Sequence, residues 1–264
     1  MSRQRLGQHF LTDPGWRRKI ARAIGLDSSS AQIPWLEIGA GHGEMTRLLA
    51  ATGAPVFAVE LDPELQQRLG TLAADRPNLR VVPSDILDLD LAATLPPGPV
   101  RVYGNLPYYI TSPVLHRLYE FAGRLEVIHI VIQLEVALRL AARPGSRPYG
   151  YLSVATQYFA RPEIVLRIPR MAFRPPPKVT SALVTMRFPG ERARLDVRDE
   201  PRFFDFVKLA FAQKRKTMVN NLRSVIAPGI SSAALAHLGL RPDARAEQLG
   251  VAEFAALFKV LSPA

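Results

Sequence analysis

Trp35-Leu36-Glu37-Ile38-Gly39-Ala40-Gly41-His42-Gly43 reads as a short apolar strand that runs directly into a glycine loop. A helical pattern, Glu44 to Ala51, follows it. The glycines let the backbone approach a ligand closely, and the start of the helix favours the ligand's polar groups. Val56-Phe57-Ala58-Val59-Glu60 is a second strand that ends on a carboxylate. Glu60 lies about 20 residues beyond Gly39, a spacing that puts an acid at the tip of the neighbouring strand, where it accepts from ribose hydroxyls. This pair of features fits a nicotinamide dinucleotide as well as any other nucleoside. The glycine order, however, is G-x-G-x-G, and Glu44 stands where a pyrophosphate site would have its third glycine. That favours an adenosine ligand without a pyrophosphate and disfavours a dinucleotide oxidoreductase.

The chain on either side extends an alternation of strands and helices. Thr12-Asp13-Pro14 starts a helix, with Asp13 as cap, that runs to about Gly25. Its Arg17, Arg18, Lys19 and Arg22 read as a solvated face or, nearly as well, as a contact to RNA. Asp62-Pro63 caps a helix through about Ala74. Arg80-Val81-Val82-Pro83 is a third strand, leading to Ser84-Asp85. An acid there can accept a proton of an adenine amino group, or can simply cap a turn. Val100 to Gly104 is a fourth strand, and it delivers Asn105-Leu106-Pro107-Tyr108. Pro107 fixes its own φ and pushes Leu106 out of the helical region, so the chain turns sharply. The turn can present the Asn105 amide, the Leu106 carbonyl and the Tyr108 ring to a pocket. Two acceptors and an aromatic face suit an adenine offered by its exocyclic amine.

After a helix from Ser112 to about Ala122, Val127 to Ile132 reads as strand five, with His129 as a packed histidine. Leu134 to Ala142 reads as a helix, and Tyr151 to Phe159 and Ser181 to Phe188 read as the last two strands. Between them, Phe173-Arg174-Pro175-Pro176-Pro177-Lys178-Val179 is a stiff segment able to hold Phe173 and Lys178 beside the pocket. The polar stretch from Pro189 to about Glu200 marks a boundary, giving domains 1–189 and 190–264. The second domain reads as helices: Arg202–Gln213, Thr217–Ile226, Ser231–Leu238 and Ala252–Leu261. Lys214-Arg215-Lys216 sits between the first two and suits phosphate by its charge.

Composition narrows the function classes. There are 34 Lys and Arg against 23 Asp and Glu, a net charge of +11, which favours a polyanionic partner such as RNA or DNA. The absence of cysteine excludes disulfides, thiolate metal sites and a cysteine nucleophile. The basic start, Met1-Ser2-Arg3-Gln4-Arg5, is followed by no apolar signal core, and no apolar run approaches a membrane span. A cytoplasmic protein is the default expectation.

Gly39, Glu60, Asp85 and Asn105, each at a strand end and in that order, resemble the sites of a class I S-adenosylmethionine-dependent methyltransferase. Asn-Leu-Pro-Tyr resembles the loop of enzymes that methylate the exocyclic amine of adenine. Together with Gln8-His9-Phe10-Leu11, the Phe173–Ser181 segment and Gln213-Lys214-Arg215-Lys216-Thr217, these motifs resemble the ribosomal RNA adenine dimethyltransferases of the KsgA family. The resemblance runs from Gln8 to about Phe258. It implies an α/β fold, a Rossmann-like seven-stranded mixed sheet with helices on both faces, and a small all-helical C-terminal domain. It implies S-adenosylmethionine as cofactor, no metal, and a monomer that acts on small-subunit rRNA in immature small ribosomal subunits. The implied reaction is N6-dimethylation of two adjacent adenosines in the 3′-terminal hairpin loop of 16S rRNA.

Carried onto this chain, the cofactor residues are His9, Leu11, Gly39, Gly41, Glu60, Asp85 and Asn105. The catalytic set is Asn105, Leu106, Pro107, Tyr108 and Phe173, and the RNA-binding set is Lys178, Lys214, Arg215 and Lys216. His9, Tyr109 and Leu134 depart from the family pattern. Two neighbouring classes share parts of this signature: the 23S rRNA adenine methylases of macrolide resistance, and non-catalytic nucleic-acid-binding factors on the same fold. The first usually has isoleucine in place of Leu106, and the intact Asn105–Tyr108 loop argues against the second.

Overall fold

A computed structural model describes residues 9–26 and 32–261. Gln8, part of a motif quoted above, and the basic residues 1–5 lie outside them. The elements in order are β1 (Phe10–Leu11), α1 (Pro14–Ala23), β2 (Trp35–Ile38), α2 (Glu44–Ala50), β3 (Val56–Glu60), α3 (Pro63–Ala74), β4 (Leu79–Pro83), α4 (Leu91–Thr94) and β5 (Val100–Asn105). There follow α5 (Thr111–Glu120), β6 (Leu125–Gln133), α6 (Leu134–Leu140), α7 (Tyr151–Phe159), β7 (Arg161–Ile168), β8 (Phe173–Arg174) and β9 (Ser181–Arg187). The chain ends in α8 (Arg192–Leu195), α9 (Glu200–Ala210), α10 (Met218–Leu222), α11 (Pro228–His237) and α12 (Val251–Leu261).

These elements form two compact units, Met1–Ala137 with Glu163–Phe188, and Leu138–Pro162 with Pro189–Ala264. The first holds a seven-stranded sheet in the order β4-β3-β2-β5-β6-β9-β7. Strands β2 to β6 pair in parallel, and β9 runs antiparallel to β6. The central strands are predominantly apolar because both faces are covered. Trp35 joins a cluster with Ile20 of α1 and Ile24 just after it, Met45 and Leu49 of α2, and Leu69 and Leu72 of α3. Leu36 and Ile38, which alternate with Trp35 along the strand, are also buried. His129 is a packed residue, as expected: its Nδ1 lies 2.9 Å from Thr185 Oγ1, and burial pushes its pKa down to about 3.

The order of the central strands fixes where a ligand can sit. The chain leaves β2 toward β3 on one side and reaches β5 on the other, so a crevice opens at the carboxyl ends of β2 and β5. Ile38 lies opposite Gly104 in that pair. The glycine loop and Asn105 are therefore neighbours by register. Asp13 caps α1 by accepting from the Trp16 N–H, with Pro14 in the first turn.

One reading of strand content needs correction. Tyr151–Phe159 is helix α7, not a strand, and the seventh strand is Arg161–Ile168. The aromatic and β-branched residues of α7 suit a strand by propensity, but packing decides otherwise. Ser153, Val154, Ala155, Thr156 and Tyr158 are all buried, which puts successive residues on every side of a helix. In the second unit Tyr158 packs against Phe203 at 5.4 Å and Phe159 stacks on Phe204 at 5.4 Å. This packing draws Leu138–Pro162 into the helical unit, beyond the residues after Pro189 where the boundary was read. Strand β7 contains Pro162, which argues against a central strand, and it occupies the edge of the sheet, where a proline is tolerated. A two-stranded ribbon, β1 antiparallel to β8, was also not legible in the sequence.

Candidate active site

Gly39, Gly41 and Gly43 adopt φ of 68°, 59° and 82°. An L-residue is strained there, so the loop after β2 needs glycines to curl as it does. A side chain at Gly41 would also meet the Phe10 ring at 3.3 Å. Phe10 thus lies on the loop, with its ring 4.5 Å from that of His42.

Glu60, at the tip of β3, is buried, and its carboxylate accepts three backbone N–H bonds. These come from Gly41 at 2.8 Å, Leu61 at 2.9 Å and Asp62 at 3.0 Å. The acid therefore pins the glycine loop to the neighbouring strand, and its oxygens keep lone pairs for a ligand. Asp85 accepts from the Leu87 N–H through Oδ1 at 2.9 Å. With Glu60, Leu61, Ile86, Pro107 and Tyr109 it lines a cavity of about 280 Å³. Leu61 and Tyr109 are exposed apolar side chains at its wall.

A second cavity joins Gly39, Gly41 and Glu60 to His9, Asn105, Leu106, Pro107 and Tyr108. The Asn105 amide nitrogen donates to the His9 carbonyl at 2.8 Å, so its oxygen is the edge left to accept. Leu106 is buried, and its N–H donates to the Val131 carbonyl at 3.1 Å. Pro107, at φ −55° and ψ 134°, makes the turn into the short 3-10 segment Tyr108–Ile110. The Tyr108 hydroxyl lies 2.8 Å from Ser181 Oγ, and its ring is 5.5 Å from the His9 ring. Burial pushes the Tyr108 phenol up, and the bond to Ser181 pulls it partly back. His9 is itself tied down, with Nδ1–H donating to the Pro175 carbonyl at 2.7 Å.

The pocket thus gathers His9, Gly39, Gly41, Glu60, Asp85 and the Asn105–Tyr108 loop. Phe173 is not among the residues that line the Asn105–Tyr108 cavity. It is buried in the apolar cluster with Leu11, its partner across the β1–β8 ribbon. Lys178 is exposed on the proline segment, which Arg170 braces by donating to the Pro177 carbonyl at 2.7 Å. Lys214, Arg215 and Lys216 belong to the second unit, exposed in the turn between α9 and α10.

Three buried polar side chains at or beside the cavities escaped the sequence reading. Glu37, in the middle of β2, is buried with Tyr103 opposite it on β5. Both line a cavity with Leu11, Gly39, Gly41 and Asn105. Glu37 Oε2 and the Tyr103 hydroxyl have no partner among the described residues. Burial pushes the Glu37 carboxyl up to about 8, with Thr46 pulling it only partly back. The signal was present: an acid inside a four-residue apolar strand that leads into a glycine loop. The third, Ser181, carried no local signal.

A model of the ribosomal RNA adenine dimethylase family matches residues 1–262. The chain is 41% identical over 261 residues to the ribosomal RNA small subunit methyltransferase A of Rubrobacter xylanophilus, covering 99% of this chain and 95% of that protein. It is 40% identical to the protein of the same name from Xanthomonas campestris pv. campestris, covering 98% and 96%. Among solved structures it resembles the 23S rRNA methyltransferase ErmE, with a TM-score of 0.71, 29% identity, and 96% and 99% of the two chains covered. It also shares its fold with a dimethyladenosine transferase from Plasmodium falciparum, with a TM-score of 0.80, 23% identity, and 95% and 96% covered.

Proposed function

The chain belongs to the ribosomal RNA adenine dimethylase family, and from that premise we propose what each part of its pocket does. It is an S-adenosylmethionine-dependent rRNA adenine N6-dimethyltransferase, and its substrate is small-subunit rRNA. The finer reading is that it dimethylates two adjacent adenosines in the 3′-terminal hairpin loop, as a monomer acting on immature subunits in the cytoplasm. Among the described residues, no helix is long and apolar enough to cross a membrane.

The residues present fit the cofactor. Asp85 and Glu60 offer acceptors to an adenine amine and to ribose hydroxyls, between the apolar walls of Leu61 and Ile86. The unpaired buried oxygen of Glu37 suits the cationic end of an amino-acid tail. When bound, S-adenosylmethionine supplies a methyl group made electrophilic by its sulfonium. The chain's own residues supply position. Tyr108 stacks on an adenine that has left its helical stack, which costs least for a base in a loop. The Asn105 oxygen accepts a hydrogen bond from the N6 amine and favours a tetrahedral, nucleophilic nitrogen, while the His9 carbonyl keeps the amide in that orientation. Lys178 and Lys214-Arg215-Lys216 bind phosphates.

The observation that carries this reading is the shared cavity that holds the Asn105 amide and the Tyr108 ring next to Gly39 and Glu60. The test is methyl transfer from labelled cofactor to immature small subunits from a strain lacking the enzyme and, in a parallel reaction, to large-subunit rRNA, with the products mapped by mass spectrometry. The expected product is N6,N6-dimethyladenosine at two adjacent sites near the 3′ end. Label appearing only in large-subunit rRNA would move the protein to the macrolide-resistance type, and no label in either would refute the assignment.

A further inference from the structure

The Tyr108 hydroxyl meets Ser181 Oγ at 2.8 Å, and Ser181 is buried. Ser181 opens β9 opposite Gln133 of β6. Strand β6 in turn lies beside β5, with Val131 opposite Asn105. Asn105 and the partner of the Tyr108 hydroxyl are therefore built on one hydrogen-bonded ladder, two strands apart. Tyr108 stands off that ladder, half-buried on a single turn of 3-10 helix. Its ring is placed by two side-chain torsions, and a bond at the far end of the ring restrains the first, which swings the ring bodily, while the hydroxyl lies on the axis of the second. Burial favours the protonated phenol, so the hydroxyl serves as an anchor and not as a base.

We propose that Ser181 is a positioning residue for methyl transfer: it holds the far end of the Tyr108 ring, and so the ring itself, at the place where the extruded adenine stacks with its amine at Asn105. The inference rests on the function proposed above, in which Tyr108 carries the base. A hydroxyl that only filled space in the sheet would matter to stability and to nothing else. A hydroxyl that fixes where the ring sits matters to the rate, and only through Tyr108.

The experiment compares Ser181→Ala, Tyr108→Phe, the double variant and Ser181→Thr in single-turnover methylation of small subunits at saturating cofactor. RNA and cofactor dissociation constants and thermal midpoints are measured alongside. Ser181→Ala and Tyr108→Phe should each lose roughly fivefold in rate, the value of one neutral hydrogen bond, with both dissociation constants within about twofold of wild type. The double variant should be no slower than either single one, because both remove the same contact. Ser181→Thr, which keeps the hydroxyl, should restore most of the rate. A wild-type rate in Ser181→Ala, or losses that multiply in the double variant, would overturn the proposal. So would a loss in Ser181→Ala that tracks weakened cofactor binding. Wild-type enzyme that fails to methylate rRNA would instead refute the function on which the proposal rests.

Discussion

The two halves of the pocket are held together in different ways. The cofactor half is tied by bonds that are short in sequence: Glu60 reaches back 19 residues to the Gly41 N–H, and otherwise binds its own neighbours Leu61 and Asp62. Asp85 binds Leu87. The base half is tied by bonds that span the unit. Asn105 to His9 covers 96 residues, Tyr108 to Ser181 covers 73, and His9 to Pro175 covers 166. The first half is a property of strand tips and the loops that follow them. The second exists only once the sheet and the β1–β8 ribbon are in place. Damage to the first should therefore show as lost cofactor affinity, and damage to the second as lost rate.

The largest effect expected concerns the one acid in the cofactor half that its surroundings do not satisfy. Burial keeps Glu37 protonated up to about pH 8, whereas in the unfolded chain it ionises near 4.5. The folded state holds the extra proton between those values, so stability is full below about 4.5 and falls as pH rises toward 8. The loss should be on the order of 5 kcal/mol across that window. Urea unfolding of wild type and Glu37→Gln from pH 5 to 9 should show a slope in the first that flattens in the second. Equal slopes would show that Glu37 is not the group that carries the proton.

Next in size, Asn105→Ala should lower the single-turnover rate by about 100- to 1000-fold, on the scale of losing one preorganised contact to the reacting group. The RNA dissociation constant should stay near wild type, because phosphates outside the pocket carry most of the affinity. Full activity would remove the base half from the mechanism altogether.

Glu60→Gln should weaken cofactor binding by roughly 1.5–3 kcal/mol, the value of a charged hydrogen bond. Calorimetry would measure it, with stability checked separately because the amide also loses part of its grip on the loop. Unchanged affinity would mean that Glu60 serves only to pin Gly41, which would erase the contrast between the halves from the cofactor side.

The smallest effect tests neither half. Replacing Lys214, Arg215 and Lys216 by alanine should reduce the salt dependence of RNA binding by roughly 0.7–0.9 in log–log slope for each lost phosphate contact. Cofactor affinity should not move. An unchanged salt slope would leave these three as a solvated surface.

The same contrast explains what could be read from the sequence. Gly39, Glu60 and Asp85 were found because each follows a strand at a spacing that parallel sheets impose, and Asn105 because Pro107 announces the turn. Phe173 was placed at the pocket because a stiff proline segment follows it, yet its ring is a better core residue than a wall and packs beside Leu11. Ser181 had no chance of being found, since a serine at the start of a strand means nothing until the partner 73 residues away is known. Tyr151–Phe159 misled for the related reason that burial on all sides erases the helical periodicity a reader looks for.

The bond from His9 to Pro175 also sets an order in time. A ribosome releases this chain from its beginning, so His9 emerges long before the carbonyl that fixes it. The glycine loop, Glu60 and Asp85 can close around one another in a half-made chain. The orientation of Asn105 cannot be made final until the proline segment has emerged, and that of Tyr108 not until Ser181 has followed it. The partners of Glu60 and Asp85 are thus all in the chain by Leu87, whereas those of His9 and Tyr108 are complete only with Pro175 and Ser181.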